Sequence, residues 1–214
     1  IRTGSDLWVF GSSNQVFRST DAGSSYALVF DNGSRAIYAA SNSGASNFIA
    51  VGVDGLNYRT TNGGTSFDSI PLNPFTGQIS RGVFMKSPTD IILGSDMGNI
   101  FRTTNAGVTW DNKESANRMY AVDFLNTNFG VAVGYAGMVF KTTNGGTNWQ
   151  NLPSGSIYEL YDVQVFDVNT FYIAAAVGRF YTTTNGGSTF TERQLPSITG
   201  GAAKSLYFFN ANTG

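Results

Sequence analysis

The chain has 214 residues, a formal net charge of −1 and charged residues at 13% of positions, about half the ~25% of an average soluble domain. Neither nucleic acid nor membrane insertion is therefore expected: the charge balance offers no electrostatic grip, and no apolar run approaches the ~20 residues that span a bilayer or reads as a signal peptide. Cysteine and histidine are both absent, which excludes disulfides, thiolate chemistry, the usual zinc ligands and any nucleophile activated by an imidazole.

In chain order, residues 1–30 supply "DLWVFG", "QVFRST" and "YALVF", short apolar runs of the kind that form strands, with "STDAGSSY" leading into the third. That stretch returns as "TTNGGTSF" from Thr60, "TTNAGVTW" from Thr103, "TTNGGTNW" from Thr142 and "TTNGGSTF" from Thr183. Its third residues, Asp21, Asn62, Asn105, Asn144 and Asn185, are spaced by 41, 43, 39 and 41 residues, the period of a repeat architecture. The fourth unit reads "MYAVDFLN", "FGVAVG", "MVFKT" and "TNWQNLP", four predicted strands with Gly and Asn clusters between them, and no segment has a 3.6-residue apolar period.

Four strands in each ~40 residues is the arithmetic of a propeller blade. The expectation is an all-β protein, one domain over 1–214, folded as a five-bladed β-propeller of four-stranded blades. The predicted blades are 1–30 plus 204–210, 31–72, 79–113, 118–153 and 157–196. Closure is expected from pairing of N- and C-terminal strands: the first unit lacks an opening strand, while "KSLYFFNANTG" at 204–214 matches an opening strand with no blade after it. The other reading is a fragment of a longer array, and the start at Ile1 rather than Met fits a processed chain or a fragment.

Within each repeated stretch the Asp or Asn is expected to accept backbone N–H groups one or two residues on, and Gly23, Gly64, Gly107, Gly146 and Gly187 to adopt positive φ. The final aromatics, Tyr26, Phe67, Trp110, Trp149 and Phe190, would start the fourth strand and pack beneath the turn. No copy has the lysine of a phosphate-binding loop, so the stretch reads as a hairpin device.

The pattern [ST]-x-[DN]-x-G-x-[ST]-aromatic resembles the Asp-box, or bacterial neuraminidase repeat, with one deviation at Asn148. Residues 120–149 resemble the repeat of propellers related to the photosystem II assembly and stability factor. The resemblance implies a propeller, and its occurrence in secreted bacterial proteins implies an extracellular, periplasmic or cell-surface location. It leaves function open, because the same box occurs in sialidases, xyloglucan-cleaving glycosidases, sortilin-type receptors and non-catalytic scaffolds.

The face formed by the blade connections carries Arg35, Arg81 and Arg118, with Glu159 and Lys204 in roughly corresponding places, and its turns add Asp54, Asp96, Tyr135 and Arg179. Converging guanidinium groups would suit a carboxylate, a phosphate or an acidic peptide, and the photosystem assembly family is similar in presenting an arginine patch there. Arg35 and Arg81 align strictly on "SRAIYA" and "SRGVFM"; the ordinary alternative is a set of solvated strand-end charges. A second basic set, Arg18, Arg59, Arg102 and Lys141, precedes the boxes and is expected to bridge neighbouring blades.

No catalytic residue, cofactor or metal is expected. Asp54 and Asp96 occupy equivalent turns of successive blades and could both approach one cleft, as an inverting glycosidase needs, although blade repetition explains their placement without catalysis; a sialidase-like site would have only Glu114, Glu159 and Glu192 to draw on. Phe75 and Tyr135 could stack on sugar or fill turns, and Asn32-Gly33-Ser34 is a sequon within a turn signal. The sequence thus points to a non-enzymatic interaction or structural module with a protein or glycan partner, the alternative being a glycan-binding or glycoside-hydrolysing propeller; self-assembly or membership of a longer chain is also open.

Overall fold

A computed structural model describes residues 1–3, 6–11, 13, 15–31, 33, 35–113, 117–196, 200–211 and 213, with the backbone of 114 and 115. Asn32 and Ser34 of the sequon, and the side chain of Glu114, lie outside the described residues.

Among the described residues, twenty strands form five antiparallel sheets of four, the blades expected of a propeller. The first sheet holds β1 (Arg2–Thr3), β2 (Asp6–Phe10), β3 (Gln15–Ser19) and β4 (Ala27–Asp31). The second holds β5 (Ile37–Asn42), β6 (Phe48–Gly52), β7 (Leu56–Thr60) and β8 (Asp68–Pro71). The third holds β9 (Ser80–Met85), β10 (Ile91–Ser95), β11 (Asn99–Thr103) and β12 (Asp111–Ser115). The fourth holds β13 (Met119–Phe124), β14 (Gly130–Gly134), β15 (Met138–Thr142) and β16 (Gln150–Pro153). The fifth holds β17 (Leu160–Val165), β18 (Phe171–Ala175), β19 (Arg179–Thr183) and β20 (Thr191–Gln194).

The chain divides into two compact units, Ile1–Ser95 with Phe101–Asp111, and Asp96–Ile100 with Asn112–Gly214. In the first, Ile49, Val51, Ile91, Leu93 and Phe101 form the centre of a core that Ile70 and Trp110 extend. In the second, Val131, Val133, Leu160, Phe171 and Ile173 do the same. The second strands are uninterrupted apolar or small runs because both of their faces are buried: every residue of FIAVG, IILGS and GVAVG is inaccessible.

The five repeated stretches are one turn built five times. The first hydroxyl, from Ser19, Thr60, Thr103, Thr142 or Thr183, accepts the N–H of the second glycine at 2.8 to 3.0 Å. The same hydroxyl donates to Asp21, Asn62, Asn105, Asn144 or Asn185. Each of those side chains accepts the backbone N–H four residues on, at 2.9 to 3.0 Å, rather than one or two on as the sequence suggested. Two successive left-handed residues cause the difference: Gly186 and Gly187 have φ of 69° and 83°, and Ala106 and Gly107 have 62° and 87°. They curl the chain so that the later N–H returns to the amide. Asn148 keeps that backbone bond, which explains why it can replace Ser or Thr there.

The second glycine also sets the spacing between blades. A Cβ on Gly64 would stand 2.3 Å from the Trp8 ring, one on Gly107 2.1 Å from Ile70 Cγ2, and one on Gly187 2.3 Å from Leu152 Cδ1. In each case the obstructed side chain belongs to the preceding blade. The terminal aromatics immediately precede β4, β8, β12, β16 and β20; Trp110 is buried, Phe67 packs on Phe30 and Phe190 on Phe171, while Tyr26 stays exposed.

The expected exchange of strands between the termini is not what the first sheet contains. Its opening strand is Arg2–Thr3, paired with Leu7 and Asp6, and it is only two residues long. The segment 204–210 lies beside β17 instead. Asp162 Oδ2 accepts Leu206 N–H at 2.9 Å, Gln164 Oε1 accepts Phe208 N–H at 2.7 Å, and Phe208 joins the rings of Phe166, Tyr172 and Phe180. β17 docks on β13 in the same manner, with Asp123 Oδ2 accepting Val165 N–H at 2.7 Å. The physical reason is that an opening strand is held sideways by side chains of the opening strand before it, and "KSLYFF" carries that register.

Candidate functional site

The opening strands of four blades carry the same bulge. In the β5–β6 ladder Ile37 pairs with Gly52 and Ala39 with Val51, which leaves Tyr38 as the extra residue. The same slip isolates Arg81 in β9, Tyr120 in β13 and Tyr161 in β17. A bulge re-aims its side chain away from the regular pleat. Glycines at the ends of β6 and β14 permit it: a Cβ on Gly52 or Gly134 would lie 2.0 Å from the carbonyl oxygen of Ala36 or Arg118.

In the first unit the Arg81 guanidinium lies over the Tyr38 ring, 4.1 Å from its centroid. Tyr38 also borders a groove of about 370 Å³ lined by Ile1, Trp8, Val9 and Phe10. In the second unit the Tyr120 and Tyr161 rings are 5.4 Å apart, and Lys204 Nζ stands 3.4 Å above Tyr161. Arg118 hydrogen-bonds Tyr120, whose hydroxyl pKa is pushed up by burial and further by Asp96 and Glu159, against the pull of Arg118. The first unit thus presents one tyrosine face capped by an arginine, and the second two tyrosine faces with a lysine over one of them, arrangements favourable by roughly 0.5 to 1 kcal/mol per exposed cation–ring pair.

The register corrects the alignment of the arginines. Ile37, Ser80, Met119 and Leu160 are equivalent, so Arg81 stands one residue after that position, Arg118 one before and Arg35 two before. "SRAIYA" and "SRGVFM" look alike but are offset, because the bulge residue is Tyr38 in one and Arg81 in the other. The arginines have different local partners: Arg35 pairs with Asp54 at 3.2 Å, and Arg179 pairs with Glu192 and covers Tyr158. Asp54 is the left-handed residue of the β6–β7 turn, and Tyr135 is half-exposed in the β14–β15 turn. Phe75 packs on Phe101 with ring centroids 4.6 Å apart.

The second basic set bridges blades. Arg18 donates to Gly63 O at 3.5 Å, Arg59 to Ala106 O at 3.1 Å and Lys141 to Gly186 O at 2.7 Å, each reaching the first left-handed residue of the next turn. Arg102 also joins Asp90 and the nearly buried Lys86 in an ion cluster. Among the described residues no three Asp or Glu side chains come together as metal ligands.

No protein-family model and no curated protein matches the chain. Solved structures do. YCF48 from Cyanidioschyzon merolae superposes with a TM-score of 0.74 at 20% identity, covering 98% of this chain and 75% of that one. These likenesses establish the fold. A structure of YCF48 bound to D1 peptide gives 0.52 at 17% identity, covering 95% and 83%. The GH74 enzyme of Niastella koreensis gives 0.73 at 15% identity over 92% of this chain, which spans about a third, 36%, of the enzyme. The expected resemblance to propellers of the photosystem assembly type therefore holds at the level of fold.

The sequence pointed to Arg81, Arg118 and Lys204 but passed over Tyr38, Tyr120 and Tyr161. Their signal was present as the second residue of each opening strand, and it is meaningful only once the bulge is seen.

Proposed function

We propose that the protein is a non-enzymatic interaction module that docks an extended peptide of a protein partner on its tyrosine and cation strips, in the cell envelope or outside the cell. The observation that carries this reading is the Tyr120, Tyr161 and Lys204 strip, in which β13, β17 and the segment 204–210 each contribute the equivalent residue. Ring faces accept apolar or prolyl side chains, and Arg118 and Lys204 add charge-assisted donors for carboxylates. The peptide-bound YCF48, of the same fold, supports it. A low-charge surface rich in Ser, Thr, Asn and Gly supports the envelope location. The GH74 neighbours favour a second reading, in which the same ring faces stack on a glycan.

The test is a titration of the protein with acidic, apolar-interrupted synthetic peptides and, separately, with xyloglucan oligosaccharides, followed through the ring protons of Tyr120 and Tyr161. Peptides should shift these signals saturably, and Tyr161→Ala or Lys204→Glu should weaken binding by about tenfold. Shifts with the oligosaccharides alone would transfer the site to the second reading, and turnover abolished by Asp54→Asn or Asp96→Asn would make the protein an enzyme.

A further inference from the structure

Arg59 and Lys141 hold the same place in two blades, each immediately before a repeated turn, but they differ in reach. Arg59 Nη1 donates to Ala106 O at 3.1 Å in the next repeated turn and to Pro88 O at 3.5 Å in the turn between β9 and β10. Lys141 Nζ reaches only Gly186 O, at 2.7 Å. Val168 is the counterpart of Pro88, because the bonds from Lys86 N–H to Asp90 O and from Phe166 N–H to Thr170 O close the same kind of turn. Val168 O therefore has no donor among the described residues, and the space that a guanidinium closes in one blade pair stays open in the other.

That space is a groove of about 520 Å³ within the second unit, walled by Asn126 and Asn128 on one side, Val168 and Asn169 on the other, with Lys141 and Thr143 between them. Val168 O, Asn169 Oδ1 and Lys141 Nζ lie 3.2, 3.7 and 3.8 Å from the point a Cβ on Gly186 would occupy, so acceptors and an ammonium converge on one spot. Asn126 Oδ1 accepts the N–H groups of Asn128 and Phe129, which leaves its Nδ2 as a donor. The side-chain amides of Asn128 and Asn169 and the hydroxyl of Thr143 also have no partner among the described residues. Val168, 50% exposed, adds an apolar patch.

This mixture of donors and acceptors selects the ligand. An anion would have one ammonium in its favour, already bonded to Gly186 O, and against it Val168 O and the carboxylate of Asp167, which accepts Asn169 and Thr170 N–H groups. An apolar ligand would leave the amides and the ammonium unpaired. Hydroxyl groups donate and accept at once and satisfy both kinds of wall. We propose that the groove binds a neutral saccharide unit, with Lys141 and Asn126 donating to its hydroxyl oxygens and Val168 O accepting a hydroxyl proton. Its volume falls within the ~300 to 1,000 Å³ of small-molecule sites. None of its residues belongs to the tyrosine strips, so the site stands whether or not those strips bind a peptide.

The experiment titrates the isotopically labelled 214-residue protein with methyl glucoside, methyl mannoside, methyl galactoside and N-acetylglucosamine, and separately with sodium phosphate. At least one sugar should shift the side-chain amide signals of Asn126, Asn128 and Asn169 saturably, with a Kd on the order of 1 mM or tighter. Lys141→Arg keeps the charge and the bond to the next turn while filling the groove as Arg59 does, and it should weaken sugar binding at least about tenfold without lowering stability in urea. Asn169→Ala, which removes a side chain that holds nothing else, should weaken it about fivefold. The proposal is overturned if no sugar moves the three amides, if phosphate moves them at lower concentration than any sugar, or if Lys141→Arg binds sugar as well as the parent. Sugar shifts confined to the rings of Tyr120 and Tyr161 would also overturn it, and would count for the glycan reading of the strips.

Discussion

At Gly187 the backbone φ is 83° and an added methyl would stand 2.3 Å from Leu152 Cδ1 and 3.2 Å from Phe171 Cζ. Gly186, one residue earlier, has φ of 69° and its nearest obstruction is Val168 O at 3.2 Å. Nature already places alanine in that slot at Ala22 and Ala106, with φ of 57° and 62°. Gly187→Ala should therefore cost about 3 kcal/mol, combining left-handed strain with overpacking, and Gly186→Ala about 1 kcal/mol. Equal destabilisation of the two in urea unfolding would show that the turn, and not the blade contact, sets the requirement. Asp21 is the one titratable side chain among the five Asp and Asn residues that hold the turns. Ser25, donating from both its hydroxyl and its N–H, lowers the carboxyl pKa to about 2, with Ser19 adding to the effect. A lowered folded pKa means that the ionised form favours folding. That stability is present above the unfolded value near ~3.9 and is lost as pH falls through about 2. Carboxyl carbon shifts should titrate near 2 and Asp21→Asn should abolish the dependence; a titration near ~3.9 would mean that Ser25 does not hold the carboxylate in solution.

At the scale of elements, the link between one opening strand and the next is a side chain rather than a ladder of backbone bonds. Asp162, partly buried and with its carboxyl pKa raised chiefly by desolvation, holds Ser205 and Leu206. Asp162→Ala should release 204–210 locally, so that trypsin cuts after Lys204 about tenfold faster while the remaining sheets keep their protection. An unchanged cleavage rate would assign the tether to Gln164 and the Phe208 ring cluster alone. The strand composition of this segment was legible, because "KSLYFFN" repeats the pattern of "AVDFLN". Its neighbour was not, since the choice between β17 and β2 depends on which side chains can accept Leu206 and Phe208 N–H groups. The arginine register was misread for a related reason: a bulge inserts one residue without a mark in the sequence, and "SR" in two opening strands falls on different sides of it.

At the scale of the whole molecule, likeness to YCF48 and to GH74 enzymes at 20% and 15% identity follows from what the repeat specifies. The residues with fixed roles form hairpin turns and blade contacts, and such turns serve any propeller whatever it binds. By itself the sequence determined the all-β class, the four-stranded blade and the five turns, because alternation, glycine at left-handed positions and a 39 to 43 residue spacing are local properties. Only the tertiary structure decided that Tyr38, Tyr120 and Tyr161 face outward from bulges, that Arg35 is committed to Asp54, and that the C-terminal segment lies against β17. Each of these depends on residues from about a dozen to more than forty positions apart meeting in one register, and that register is set by packing between strands rather than by any neighbour along the chain.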